Sequence, residues 1–272
     1  MIKHDIIVDG AIVRVYEFPA KQPASRPTVV FLHGLGDDGL CLKSLGKDVA
    51  AAGFRVLLPD APGHGHSQLR GDFTEQSRAD SALGVIEQLG NGTVVLGGHS
   101  MGGETALIIA SQRPDLVLGL LLEEPALQFR HIPESHKRKY TEQIQQWIEG
   151  LQSSSQAERI EWVRADGPLW DESEYAPWAR AKALTNMGIF DANYHWLNED
   201  AGATVSKVSV PTLLIRGEPS PHTMALRNAK ELLRLVPQAV DIAVPGTGHC
   251  VRRDNPVAYS SAVRGFLAQF AV

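Results

Sequence analysis

The sequence predicts an α/β protein: a mostly parallel sheet with helices on both faces, interrupted by a helical insertion. Three observations carry that expectation. Six short apolar runs, rich in Val, Leu and Ile and bounded by Gly or Pro, occupy residues 28–32, 54–58, 93–96, 118–122, 212–215 and 240–244, as suits parallel strands buried on both faces. Helix-like stretches at about 40–52, 75–89, 101–113, 223–236 and 256–270 fall between or after them, and strand alternating with helix implies βαβ units. The alternation then stops between about Pro125 and Ala201, where helix-like pieces at 137–151 and 156–164 are joined by aromatic loops with no apolar run of strand type.

The first element is different in kind. Apolar residues alternate on both sides of Asp9-Gly10, a pair that accepts the positive φ values of a two-residue hairpin turn, so an antiparallel edge opens the sheet. A Pro-rich link to Pro27 leads into the parallel strands. The length of 272 residues corresponds to one or two nominal domains. The break in alternation resolves this into one core, residues 1–124 and 202–272, interrupted by a helical cap at 125–201.

Composition narrows the function. A chain this long with 43% hydrophobic residues can bury a core without disulfides or structural metal. Its net charge of -5 argues against nucleic acid and anionic membrane surfaces, which are held by clustered Lys and Arg. Cys41 and Cys250 are the two cysteines, too few for a disulfide framework and lacking CxxC spacing. The opening residues lack the apolar core of a signal peptide, and no apolar run approaches the ~18 residues of a membrane span, so a cytoplasmic protein, monomer or homodimer, is expected. All five tryptophans, Trp147, Trp162, Trp170, Trp178 and Trp196, fall in the insertion.

The sharpest chemical signal is Gly98-His99-Ser100-Met101-Gly102, directly after a predicted strand and before a predicted helix. A serine on so tight a turn is pushed toward a strained backbone conformation and presented at the carboxyl edge of the sheet, with a helix N-terminus behind it. A serine hydroxyl needs a base to take its proton. Gly246-Thr247-Gly248-His249, between the last strand-like run and the final helix, supplies His249. The oxyanion formed on attack needs backbone N–H donors. Met101, immediately after the serine, is one, and Leu35 in the loop His33-Gly34-Leu35-Gly36 is the other. Here His33 fixes the loop while Gly34 and Gly36 permit close approach to substrate.

These motifs resemble the α/β-hydrolase fold family. Its marks here are His33-Gly34, the segment from Asp60 to Ser67, the elbow at Ser100, and Gly248-His249 near the end, in the expected order across nearly the whole chain. The resemblance implies an eight-stranded sheet, a cap inserted after the sixth strand, and hydrolysis through a covalent acyl-enzyme without cofactor or metal. His64-Gly65-His66 is read as part of a turn in that pattern, not as a zinc pair.

The acid departs from the pattern. Most members carry an Asp after the seventh strand, where this chain reads Gly217-Glu218-Pro219-Ser220-Pro221, with Ser220 at the expected position. Some members, including haloalkane dehalogenases with Glu, place the acid after the sixth strand instead. Here that strand ends Leu122-Glu123-Glu124-Pro125, and consecutive side chains on an extended strand face opposite ways, so only one of the two glutamates can meet the histidine. Matching Gly119 to those members favours Glu124, with Glu123 and Glu218 as alternatives.

The expected function is a serine hydrolase acting on a carboxylic ester or lactone of a neutral, apolar or aromatic small molecule. Acyltransfer, thioester hydrolysis, hydroxynitrile-lyase chemistry on the same triad, and a non-catalytic ligand receptor are the alternatives. Aromatic groups of the cap give apolar contact and exclude water. Gly34, Phe129, Trp170, Trp178 and Trp196 are the candidate substrate contacts. A neutral substrate is expected because no Arg or Lys stands near Ser100 in the sequence to clamp an anionic group.

Overall fold

A computed structural model describes residues 1–21, 26–191, 201–220, 223, 224 and 226–271. The N-terminal hairpin, β1 (Ile2–Val8) and β2 (Ala11–Phe18), turns through Asp9 (φ 48°) and Gly10 (φ 74°) as its Asp-Gly pair dictates. The chain continues through β3 (Thr28–Leu32), α1 (Lys43–Ala51), β4 (Val56–Pro59), α2 (Glu75–Leu89), β5 (Val94–His99), α3 (Met101–Gln112) and β6 (Val117–Glu123). Then come α4 (Glu134–Gln152), α5 (Gln156–Asp166), α6 (Glu172–Leu184) and the short α7 (Ala201–Val205). The last elements are β7 (Thr212–Arg216), α8 (Leu226–Leu235), β8 (Ala239–Ala243), α9 (Val251–Asp254) and α10 (Pro256–Leu267).

The eight strands form one sheet in the order β1-β2-β4-β3-β5-β6-β7-β8, antiparallel at β1/β2 and β2/β4 and parallel in every other pairing. Period-two alternation divides its apolar residues between two cores. Val30, Leu32, Leu57, Leu96, Leu120, Leu122 and Leu214 join α2, α3 and α8 on one face. Val29, Phe31, Val56, Leu58, Val95, Leu121 and Leu213 join α1 and α10 on the other. The central strands β3 to β7 are therefore apolar on both faces, which is why they read in the sequence as continuous runs rather than alternating ones; β8, predicted as such a run, is instead an edge strand with Val240 exposed.

Helix ends follow local chemistry. Thr74 and Ser77 form a reciprocal capping box at the start of α2, and Ser155 with Glu158 does the same for α5. Between β6 and β7 the described residues contain helices and no strand. Leu151, Val163, Tyr175, Trp178 and Ala179 give α4, α5 and α6 a small core of their own. Among the described residues no helix is long and apolar enough to cross a membrane.

Candidate active site

The carboxyl ends of β3, β5, β6 and β7 converge on one edge of the sheet, and the candidate residues lie there. Ser100 follows β5 with φ 52° and ψ -116°, a conformation costly for a non-glycine residue. Both backbone groups of the turn are held: Ser100 N–H donates to Glu123 O and Ser100 O accepts from Ala126 N–H, each at 3.0 Å. The glycines around it are contact requirements. A Cβ on Gly102 would come within 2.2 Å of Leu32 O, and one on Gly98 within 2.2 Å of the Gly102 carbonyl.

Glu124 and His249 meet, with His249 Nδ1 3.4 Å from Glu124 Oε2. Glu124 also sits at positive φ (44°), so Ser100 and Glu124 are both strained, as positions held for function often are. The buried carboxylate accepts Gly217 N–H at 2.8 Å on Oε1 and Met224 N–H on Oε2. The loop after β7, where most resembling proteins carry their acid, thus supplies a backbone donor to an acid one strand away. Gly217 is needed there, since a Cβ would lie 2.3 Å from Gly248 O in the histidine loop.

The two alternative acids are engaged elsewhere. Glu123 takes Arg252 N–H at 2.9 Å and the Arg252 guanidinium at 3.1 Å, while Glu218 accepts Gly246 N–H at 3.1 Å. Strand alternation does not separate the two consecutive glutamates. β6 ends at Glu123, and it is the left-handed turn at Glu124, rather than strand alternation, that sends the carboxylate to His249.

Two backbone N–H groups flank the serine without an acceptor among the described residues: Leu35 in the loop after β3 and Met101 at the first position of α3. The Leu35 loop is a turn closed by Asp37 N–H to Gly34 O at 3.1 Å, with Gly36 at φ 69°. His33 braces it, Nδ1 against Gly34 O at 2.8 Å and Nε2 accepting Ala61 N–H at 2.9 Å. Burial holds the His33 pKa down, and the neutral ring can both donate and accept. Gly34 leaves room for the elbow as well as for a ligand, because a Cβ would stand 2.8 Å from His99 Nδ1 and 3.4 Å from Ser100 Cβ.

His99 carries the histidine loop: its Nε2 lies 2.9 Å from His249 O and the two rings are 4.7 Å apart. Since a carbonyl only accepts, Nε2 bears the proton. Burial, with Arg252 and His249 nearby, keeps His99 neutral by pushing its pKa well down. His64 is part of a turn, its N–H donating to Ala61 O and its Nδ1 2.9 Å from Pro62 O. Cys250 lines the cavity and Cys41 is buried, both as free thiols pushed up by desolvation, which leaves them poor nucleophiles.

Above Ser100 and His249 is a cavity of about 980 Å³ walled by the β-strand loops on one side and by α4 and α6 on the other. Gly34, Trp170 and Trp178, three of the candidate substrate contacts, line it, together with Leu35, Trp147 and Tyr140. Phe129 does not, because it packs against the main core beneath the sheet edge. Trp196 lies outside the described residues. Trp162 stacks on Trp178 at 5.4 Å and builds the insertion.

No Arg or Lys stands near Ser100 in the sequence, but folding brings cations to the cavity from elsewhere. Lys137, Lys182, Arg227 and Arg253 all border the cavity, brought from distant segments. Four carboxylates, Asp37, Glu124, Asp166 and Asp254, border it too, so Lys and Arg are matched in number by Asp and Glu. Sequence reasoning also passed over Asp37, Lys182 and Arg253. Trp178 and Lys182 are four apart on α6, one helical face, and that spacing was the available signal.

A sheet of this order, with a strained serine after β5 and a histidine after β8, defines a class, and comparison with known proteins agrees. Residues 27–256 match the family model of the alpha/beta hydrolase fold, and the chain belongs to that family. It is 34% identical over 262 residues to an sn-1-specific diacylglycerol lipase of Mus musculus, covering 90% of this chain and 82% of the lipase. An esterase of Mycobacterium tuberculosis is 29% identical over 264 residues, covering 89% of this chain and 83% of that protein. Among solved structures, the enol-lactonase of Burkholderia xenovorans superposes with a TM-score of 0.73 at 20% identity, covering 97% of this chain and all of the lactonase, 100%. That last likeness is one of fold.

Proposed function

We propose that the protein is a serine hydrolase that cleaves carboxylic esters through an acyl-enzyme on Ser100. The observation that carries the reading is the contact of His249 Nδ1 with the buried Glu124 carboxylate, beside a serine held at φ 52°. With Nδ1 facing a carboxylate, its proton stays on that nitrogen and leaves Nε2 to act as base. His249 takes the Ser100 proton as the oxygen attacks the ester carbonyl. Leu35 and Met101 N–H, otherwise unused, receive the developing oxyanion. His249 then protonates the leaving alcohol, and water activated by the same ring releases the acid.

The insertion, residues 125–201, acts as the lid in this reading. Its aromatic wall contacts an apolar acyl or alkoxy group and keeps water from the reacting bond. The balanced charges of the wall favour a neutral substrate, since an added anion would meet as many carboxylates as cations. A lactone is accommodated by the same chemistry. The names of the mouse lipase and the mycobacterial esterase support ester hydrolysis.

The experiment is turnover of p-nitrophenyl esters of increasing chain length by wild type, Ser100→Ala and His249→Ala. Hydrolysis by wild type that is lost by a factor of about 10³ or more in both variants is the expected result. Hydrolysis that survives Ser100→Ala overturns the reading, and saturable ester binding without turnover by wild type moves the protein to the ligand receptors.

A further inference from the structure

Oxyanion donors stabilise a transition state only when they are already in place as charge develops. The loop that carries Leu35 is neither helix nor strand, yet it is gripped from across the cavity. Lys182, on α6 of the insertion, extends to this loop and donates from Nζ to Gly36 O and to Asp37 Oδ1, both at 2.8 Å. Its side chain is 2% exposed, and its ammonium also lies 4.7 Å from the Trp178 ring and 5.5 Å from the Trp147 ring. A buried ammonium persists only where such partners surround it.

Asp37 ties the same point to the rest of the site. It takes Arg252 at 3.3 Å and Arg253 at 3.2 Å, both on the short helix that follows His249. Arg252 continues to Glu123, the residue before Glu124, at 3.1 Å, and Arg253 returns to Glu174 on α6 at 3.2 Å. One buried carboxylate therefore joins the oxyanion loop, the histidine loop and the insertion. Lys182 is the one of these three cations that also holds a backbone atom of the turn, the Gly36 carbonyl, one residue on from Leu35.

Resting on the serine-hydrolase reading and on Leu35 as an oxyanion donor, we propose that Lys182 is a positioning residue that clamps the turn of residues 34–37, so that the insertion completes the oxyanion hole as well as covering the substrate. Lys182 touches no reacting atom in this role. Its loss leaves Ser100, His249 and Glu124 in place and frees the Gly36–Asp37 peptide to rotate, and with it the turn that carries the Leu35 N–H.

The test is Lys182→Met, similar in length and without the donor, with p-nitrophenyl butyrate as substrate and Ser100→Ala as the control. The expected result is a fall in kcat of about 10²–10³, the range for loss of one oxyanion donor, with KM held within about threefold. Amide hydrogen exchange is expected to accelerate in peptides covering residues 33–40 and to stay unchanged in α2. If the Met variant fails to fold, Lys182→Gln is read by the same criteria, because its shorter amide cannot reach both acceptors. A folded variant with wild-type kcat, or one whose kcat falls without faster exchange in 33–40, overturns the clamp and leaves the hydrolase reading standing. Absence of Ser100-dependent turnover in wild type overturns both.

Discussion

Replacing Glu124 with Gln changes one atom in the centre of the site, and its consequences can be worked from three contacts. The carboxylate accepts Gly217 N–H on Oε1, Met224 N–H on Oε2, and faces His249 Nδ1 with the same Oε2. A glutamine has one acceptor. Either orientation aims its NH2 at a backbone N–H, leaving a buried donor unsatisfied at a cost of about 1–3 kcal/mol. At about 2–4 °C per kcal/mol for a chain of this size, a lower melting temperature with an intact fold is expected. If the NH2 takes the Oε2 position, His249 faces a donor and turns its Nδ1 lone pair to it, which puts the proton on Nε2 and removes the base. The expected fall in kcat is about 10³–10⁴, or roughly 4–5.5 kcal/mol of transition-state stabilisation, with KM little altered. Stopped-flow or steady-state hydrolysis of p-nitrophenyl butyrate measures it, with Glu218→Gln and Glu123→Gln alongside. Glu218→Gln is expected to stay near wild type. Glu123→Gln is expected to lose stability, since it weakens the buried pair with Arg252. Wild-type kcat in Glu124→Gln, or collapse in Glu218→Gln alone, refutes the assignment of the acid.

Gly102→Ala places a Cβ 2.2 Å from the Leu32 carbonyl, a backbone atom that cannot yield, so soluble expression is expected to be lost while Gly150→Ala, with open space around it, is neutral. His64 is held neutral by burial and by His33, its pKa pushed down to about 3. Its unfolded counterpart gains a proton below about 6.5, so this depressed site costs nothing above pH 6.5, and stability is lost as pH falls from there toward 3. Urea unfolding between pH 7 and 4 is expected to show that slope, reduced in His64→Asn by up to about 1.4 kcal/mol per pH unit; an unchanged slope contradicts it. Trp147→Ala opens the cavity wall between α4 and Lys182, and is expected to raise KM for long-chain or aryl esters by about 5–100-fold while short acetyl esters change little.

Much of the fold was legible because the central strands of the sheet are buried on both sides. Its strands could be read as apolar runs without knowing which face each residue serves, and β3 begins and ends at the predicted residues, Thr28 and Leu32. Helix α2 was equally plain from Glu75 to Leu89. Boundaries slipped where long-range contacts decide them. β5 runs on through Gly97 and Gly98 to His99 because they pair with Leu121, Leu122 and Glu123 of β6. The helix predicted from 223 begins at Leu226 in the structure, with the Met224 N–H committed to Glu124. At the site, Ser100, His249 and the oxyanion loop were legible because strain and glycine spacing leave a local mark. The charge cluster around Asp37 was not, since Asp37, Glu174, Lys182 and Arg253 become neighbours only through tertiary folding. For the same reason, the cations that border the cavity left no mark in the sequence around Ser100. Phe129 misled because an aromatic residue at the start of the insertion serves the core as readily as the pocket.

Trapping the covalent enzyme tests whether Ser100 is the nucleophile, raised to reactivity by His249. Incubation with a fluorophosphonate, followed by intact mass and peptide mapping, is predicted to give one adduct, on the peptide containing Ser100, abolished by Ser100→Ala and slowed about 10³-fold or more by His249→Ala. An adduct on Cys250, or ester turnover by a protein that carries no adduct at Ser100 after inactivator is in excess, contradicts it.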